Sequence, residues 1–251
     1  FGKAGVLRGK RIMLEFGQPN THKLPHIGHL FSYILGESLC RILTAAGATI
    51  FRANYQGDIG LHVAKCLYGI RQSPTFSRKM RDSAGKEKVD FLQKAYQIGS
   101  KAYETDKTAQ EEILKINRTL YDKSDEELLK LWQETRNWSV DFYKDFEKLL
   151  GVSYDRYYFE SEVFQSGKEV VEQFLSRGKV FKKSQGAIIF PGSKYGLHDR
   201  VFITQWGTPT YEAKDLALQK IKYQEWPFDL VIITTASEQN EYFKVIFKAL
   251  E

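Results

Sequence analysis

The sequence predicts an α/β fold, a Rossmann-type doubly wound parallel sheet split by a largely helical insertion. Three observations predict it. Near the start, a short apolar run, a polar turn, a long stretch of helical periodicity and a β-branched run follow one another as the opening βαβ unit of such a sheet. The alternation of strand and helix returns toward the end of the chain. Between the two lie about a hundred residues that are basic at first and then polar and helical in pattern, which marks an insertion.

Composition sets the outer bounds. The chain has 251 residues, 42% hydrophobic, 14% aromatic and 27% charged, enough to bury a sizeable core and too apolar for disorder. No apolar run reaches membrane-spanning length. The two cysteines, Cys40 and Cys66, are too few for a disulfide framework or a four-thiolate zinc site, and both sit in apolar stretches, which fits a reducing compartment. Lys and Arg number 37 against 31 Asp and Glu, and the net charge of +6 tilts mildly toward a polyanionic partner.

Element by element, residues 12–16 read as a strand and 17–25 as a polar turn. A helix then runs from Ile27 through Leu43 to a stop at Gly47, and 49–53 forms the second strand. Ligands of doubly wound sheets bind at the carboxyl ends of the strands, so the turn before His26 is the place to look for a site. From Leu67 the pattern changes. Arg71, Arg78, Lys79, Arg81, Lys86 and Lys88 form a basic, loop-like stretch, either a solvated loop or a contact for a nucleic-acid backbone. The clearest helix of the insertion opens on Ser124 and Glu127, spaced as a capping box, and carries Leu128, Leu131, Thr135, Trp138, Phe142, Phe146 and Leu149 as a core stripe. A helix over 163–175 and a small strand pair within 179–190 follow. Strands at 201–204 and 230–234 alternate with helices at 211–223 and 240–251. The expected organisation is two nucleotide-binding halves, about 1–66 and 196–251, around an insertion of about 67–195. The chain has no initiator Met, and the helical rhythm of Tyr242, Phe243, Ile246, Phe247 and Leu250 is still running at Glu251, which suggests a fragment of something longer.

The chemistry-bearing cluster is His26-Ile27-Gly28-His29, where the first loop meets the first helix. The two imidazoles lie i and i+3 on one face of the opening turn. A helix N-terminus offers unsatisfied N–H groups and a positive dipole end, so two imidazole donors there can hold phosphate oxygens during an in-line displacement. Gly28 removes a side chain that would block a ribose or base. Zinc is the competing use of the two rings, with no third ligand nearby.

Leu14-Glu15-Phe16-Gly17-Gln18-Pro19-Asn20 running into Pro25-His26-Ile27-Gly28-His29-Leu30 resembles a class I aminoacyl-tRNA synthetase, specifically the arginyl-tRNA synthetases. The resemblance extends through Asn54-Tyr55-Gln56-Gly57-Asp58-Ile59-Gly60, Gly99-Ser100-Lys101-Ala102-Tyr103-Glu104, Phe159-Glu160-Ser161-Glu162, Lys194-Tyr195-Gly196 and Asp199-Arg200-Val201. It ends with Gly207-Thr208-Pro209-Thr210-Tyr211 and Lys214-Asp215-Leu216-Ala217, the segment most specific to the arginine enzymes. Phe31, His62 and the position of Pro25 depart from the family pattern.

The resemblance implies ATP-dependent activation of L-arginine to arginyl-adenylate and its transfer to tRNA(Arg), by a cytoplasmic monomer with no membrane partner. ATP would enter with Mg2+, and no structural metal is implied. By position His26 and His29 would grip the ATP phosphates, Gly28 would lie against the adenosine and Lys23 would reach the triphosphate. Arginine is a planar cation with five donors, so its site needs a carboxylate and neutral acceptors. Tyr211 and Asp215, i and i+4 on one helix, and Gln239 in a carboxyl-end loop match the family's guanidinium positions, with Glu238 and Asn240 as rivals for the last. Glu15 and Asn20 match positions that hold the α-amino end, although Glu15 also fits an outward strand position and Tyr211 a packing role. The family's signature loop, anticodon-binding domain and N-terminal tRNA-binding domain have no counterpart in this sequence, so the expected catalyst is weak on its own. The other reading is a catalytically degenerate nucleotide- or RNA-binding paralogue of a class I synthetase.

Overall fold

The computed structural model describes residues 2, 4–73, 78–178 and 180–251. The elements run β1 (Arg11–Glu15), α1 (Ile27–Ala45), β2 (Thr49–Gln56), α2 (Leu61–Arg71), α3 (Arg78–Arg81), α4 (Gly85–Thr105), α5 (Lys107–Asp122), α6 (Glu126–Leu149) and β3 (Arg156–Phe159), continuing with α7 (Glu160–Ser176), β4 (Lys182–Ser184), β5 (Ala187–Phe190), β6 (Arg200–Ile203), α8 (Tyr211–Glu225), β7 (Leu230–Ile233) and α9 (Asn240–Leu250). The main sheet has the order β3-β2-β1-β7, the first four positions of a doubly wound sheet, so the predicted fold class holds. Strands β2 and β3 pair in parallel, Ala53 opposite Arg156 through Gln56 opposite Phe159.

By compactness the chain forms two units. The first comprises Phe1–Leu14, Leu43–Phe51 and Glu162–Glu251. Its core packs Val171, Phe190, Phe202, Ala213, Val245 and Ile246 from helices and strands of the C-terminal half. Here the helix stop read from the sequence is a Schellman motif. Gly47, at φ 101°, donates its N–H to Thr44, and Ala48 donates to Leu43, which satisfies two of the carbonyls a helix end leaves over.

The second unit comprises Glu15–Ile42 and Arg52–Ser161. Its largest apolar cluster joins α2, α4, α5 and α6 through Val63, Leu67, Leu92, Ile113, Leu120 and Trp138. Cys66 lies within it, its Sγ 3.3 Å from the Leu92 carbonyl, and burial pushes that thiol well above its ordinary pKa. Helices α2 and α4 touch backbone to backbone. A Cβ on Gly69 would stand 1.9 Å from the Ala95 carbonyl oxygen, and one on Gly99 would stand 1.9 Å from that of Lys65. Gly99→Ala must therefore spread the two helices. The overpacking cost of about 1–3 kcal/mol exceeds the roughly 1 kcal/mol that alanine returns in helix propensity, and urea unfolding should show net destabilisation. A midpoint at or above that of the parent would contradict the close crossing.

Several expectations change. The basic residues of this stretch lie in helices joined by short turns at 72–73 and 82–84: Arg71 closes α2, Arg81 closes α3, and Lys86 and Lys88 stand in the first turn of α4, while 74–77 lie outside the described residues. Lys and Arg are good helix formers, and their charge sets only which face is wet. The cap of α6 is Asp125, whose carboxylate accepts the Leu128 N–H, one residue beyond the expected Ser124. Leu149 is 82% exposed, and the buried face turns instead through Ser139, Tyr143 and Glu147. The strand at 200–203 joins the antiparallel sheet β4-β5-β6 and does not extend the parallel one.

Candidate functional site

Loop residues 16–25 leave the end of β1 and arrive at α1 in the second unit. Thr21 holds the loop to the end of β2, its N–H and hydroxyl both meeting the Gly57 carbonyl. A Cβ on Gly57 would lie 2.2 Å from Asn20 Oδ1, so a side chain there would displace the Asn20 amide. Asn20 is exposed, and Glu15 is buried with the Gln18 amide donating to its carboxylate.

At the start of α1 the two predicted imidazoles cap the first turn of the helix. The Gly28 N–H donates to His26 Nδ1 at 3.1 Å, and the His26 N–H donates to His29 Nδ1 at 3.1 Å. This is a capping box with rings in place of a hydroxyl and a carboxylate. A Cβ on Gly28 would stand 2.9 Å from the His26 ring, so glycine is what lets that ring fold back. Because both Nδ1 atoms accept, each neutral ring carries its proton on Nε2, away from the cap. The ring centroids are 3.9 Å apart. Burial, then the nearby His26 and Lys23, lower the His29 pKa to about 4, so this ring is neutral near pH 7. The pair thus offers ring N–H donors at the positive end of a helix dipole, a setting for phosphate oxygens. Lys23 lies just before them, its ammonium 4.5 Å from the centre of the Tyr96 ring.

Sequence reasoning missed the groups that hold this loop. Tyr143 on α6 shares its hydroxyl between the carbonyls of Asn20, at 2.7 Å, and Lys23, at 2.5 Å. Gln93 on α4 accepts the Leu24 N–H at 3.1 Å. The His22 N–H donates to Ser139 Oγ, and His22 Nε2 meets Thr135 Oγ1, both at 2.9 Å. No local signal marks these residues, which lie about 70 to 120 positions away along the chain.

The first unit carries the other predicted residues. The segment 207–210 is pinned to β6: Thr210 donates its N–H to Phe202 O at 2.9 Å and its hydroxyl to Val201 O at 2.8 Å. Tyr211 opens α8 and is exposed, with the Lys214 ammonium 4.7 Å from its ring centre. Asp215, one turn on, is half-buried and accepts the Tyr242 hydroxyl at 2.5 Å. Burial first, and then Asp215, push the Tyr242 phenol far above its ordinary pKa. Gln239 is exposed and is the N-cap of α9, three residues before Tyr242. Glu15, Asn20, Lys23, His26, Gly28 and His29 thus gather in one unit, and Tyr211, Asp215 and Gln239 in the other.

Solved structures give the class. The fold matches an arginyl-tRNA synthetase of Plasmodium falciparum with a TM-score of 0.74 at 22% identity, over 95% of this chain and 39% of that one. It also matches the Thermus thermophilus arginyl-tRNA synthetase with a TM-score of 0.66 at 26% identity, over 88% and 37%. This is the catalytic fold of a class I aminoacyl-tRNA synthetase. The chain belongs to the family described as tRNA synthetases class I (R), catalytic domain, whose profile matches residues 3–251. It is 31% identical over 252 residues to the arginine–tRNA ligase of Treponema denticola, covering 100% of this chain and 42% of that protein. Against the arginine–tRNA ligase of Borrelia turicatae it is 32% identical over 255 residues, covering 98% and 43%. The chain spans about 42% of the length of such relatives. Among the described residues no helix is long and apolar enough to cross a membrane.

Proposed function

We propose that this chain carries the amino-acid activation site of an arginine–tRNA ligase. ATP and L-arginine give arginyl-adenylate and pyrophosphate, and the arginyl group then passes to the terminal ribose of tRNA(Arg). The observation that carries the reading is the imidazole cap of α1, two rings whose Nδ1 atoms accept backbone N–H groups and so leave Nε2 for a ligand, in a chain of the arginine family. When the arginine carboxylate attacks the α-phosphorus, negative charge grows on the phosphate oxygens, and donors already fixed in place stabilise it without reorganising. Lys23 supplies the full positive charge beside them. Mg2+ arrives as part of the ATP complex and belongs to the substrate. Asp215, half-buried and oriented by Tyr242, is the acceptor for the guanidinium. Tyr211, one turn before it on α8, and Gln239, at the N-cap of α9, would complete the substrate contacts. Glu15 and Asn20 would meet the α-amino end. The same reading places the protein in the cytoplasm, working as a monomer.

The test is ligand-induced stabilisation. L-arginine with ATP–Mg2+ should raise the thermal midpoint, while lysine or citrulline with the same nucleotide should not. Asp215→Asn should weaken arginine binding by about 1–3 kcal/mol, the scale of a charge-assisted hydrogen bond left unmade. Equal shifts from all three amino acids, or an unchanged arginine affinity in the variant, would reject the arginine pocket. A nucleotide-dependent shift with no arginine response would point to a degenerate nucleotide-binding paralogue.

A further inference from the structure

We propose that His22 is a positioning residue for the ATP-facing loop, holding Lys23 in place from a buried anchor on α6; the inference rests on the activation-site reading above. His22 is fully buried and sits in left-handed backbone, at φ 62°, a region that residues other than glycine seldom occupy. Surrounding bonds must hold it there, and they are present on three sides. Its N–H donates to Ser139 Oγ, its Nε2 meets Thr135 Oγ1 and its Nδ1 meets Thr21 Oγ1, each at 2.9 Å.

The proton positions follow from the partners. The Thr135 hydroxyl donates to the Leu131 carbonyl at 2.8 Å, so it accepts from His22 Nε2–H. His22 Nδ1 is then the acceptor, and it takes the Thr21 proton at 2.9 Å in preference to the Gly57 carbonyl at 3.2 Å, which already receives the Thr21 N–H. A neutral imidazole therefore ties Thr21, whose N–H is held by the Gly57 carbonyl at the end of β2, to Thr135 on α6. The next residue is Lys23, whose carbonyl is held by Tyr143 on the same helix and whose ammonium rests over Tyr96. The ring reaches no exposed surface. Its influence on a substrate passes through the direction in which the loop leaves residue 22 and delivers the Lys23 side chain.

The experiment compares His22→Ala with His22→Asn. Asparagine tolerates left-handed backbone and keeps one donor and one acceptor, and alanine provides neither. The first readout needs no substrate: the rate at which acetic anhydride acetylates Lys23, followed by peptide mass spectrometry. It should change several-fold in His22→Ala and return toward the parent value in His22→Asn. The second is ATP–Mg2+ affinity by calorimetry, expected to fall about tenfold in His22→Ala, the scale of one or two misplaced hydrogen bonds. Adding His22→Ala to Lys23→Ala should cost nothing more, because the first acts through the second. Unchanged Lys23 reactivity, or full additivity of the two ATP effects, would overturn the proposal. If the parent chain binds no ATP, the activation-site reading fails while Lys23 reactivity still decides the role of His22. Should His22→Ala not fold, Thr135→Val and Ser139→Ala each remove one of the three bonds and carry the same two readouts.

Discussion

Between pH 6.5 and pH 4 the parent protein should lose about 3 kcal/mol more stability than its His22→Asn variant, read from urea midpoints along the series. His22 is shifted from an ordinary pKa of 6.5 down to about 3, by burial first and then by the nearby His62 and Arg136. The sign follows from where the proton goes. Below pH 6.5 the imidazole of the unfolded chain takes a proton, and the folded one refuses it until about pH 3. The unfolded state therefore binds more protons across this window, and folding stability falls as pH falls, by up to roughly 1.4 kcal/mol per pH unit. Other groups titrate in the same range. His29, lowered to about 4 chiefly by burial, adds to the loss. Glu147 opposes it, because burial raises its carboxyl above the usual value of 4.5, so the folded state takes that proton first and gains as pH falls. For this reason the difference between parent and variant, and not the raw acid curve, isolates His22. Parallel curves for the two proteins would mean that the ring is charged or hydrated in the folded state.

The parts legible in the sequence are those whose causes are local. The opening βαβ unit could be read because an apolar run, a helical period and Gly47 fall within about forty residues, and each acts on its own neighbourhood. The H-x-G-H cluster was legible as a helix start, yet its internal geometry was not. That Gly28 makes room for His26, and that the His26 ring accepts the Gly28 N–H while the His29 ring accepts the His26 N–H, depends on rotamers that spacing alone leaves open. Strand β3 and helix α2 carry no comparable local signal. The first is four residues long with two tyrosines, and the second follows directly on Gly60 with no polar cap. Antiparallel β6 fits the α/β rhythm in sequence, because β-propensity tells strand from helix and says nothing of which sheet receives it.

Polar residues were the hardest to place. Glu147 lies on α6 among acids that look like a solvated face, yet it is buried against Tyr33 at 2.9 Å, Tyr157 at 2.5 Å and Asn54 at 3.1 Å. The three donors, from α1, β3 and β2, with the Lys144 charge nearby, make that position tolerable for a carboxylate. Tyr143, Ser139 and Thr135 support the ATP-facing loop from the same helix for the same reason. Their partners are assembled by tertiary contact, so helical periodicity marks the face they occupy without revealing what they hold.

Asp58→Ala should cost about 3–5 kcal/mol in urea unfolding, the range seen when one member of a buried ion pair is removed. The Asp58 side chain is completely buried and receives Arg136 Nε at 2.6 Å, the Ser161 N–H at 2.9 Å and the Ser161 hydroxyl at 2.7 Å. Its carbonyl also accepts the Trp132 indole N–H at 2.7 Å. Alanine would leave a guanidinium only 20% exposed, 3.8 Å over the Phe159 ring, without its counter-ion, and the Ser161 N–H without its acceptor. Both costs exceed that of the lost packing. Asp58→Asn keeps an acceptor for Ser161 and gives up only the charge, so it should fall between the parent and Asp58→Ala. The effect should also reach the candidate site. Asp58 follows Gly57, whose carbonyl holds the Thr21 N–H and the start of the loop that carries Lys23 and His26. Loosening that carbonyl gives the loop freedom that ATP must then remove, so ATP affinity should fall in Asp58→Asn even where the fold survives. A destabilisation below about 1 kcal/mol in Asp58→Ala would place Arg136 in solvent and sever this link between the buried pair and the site.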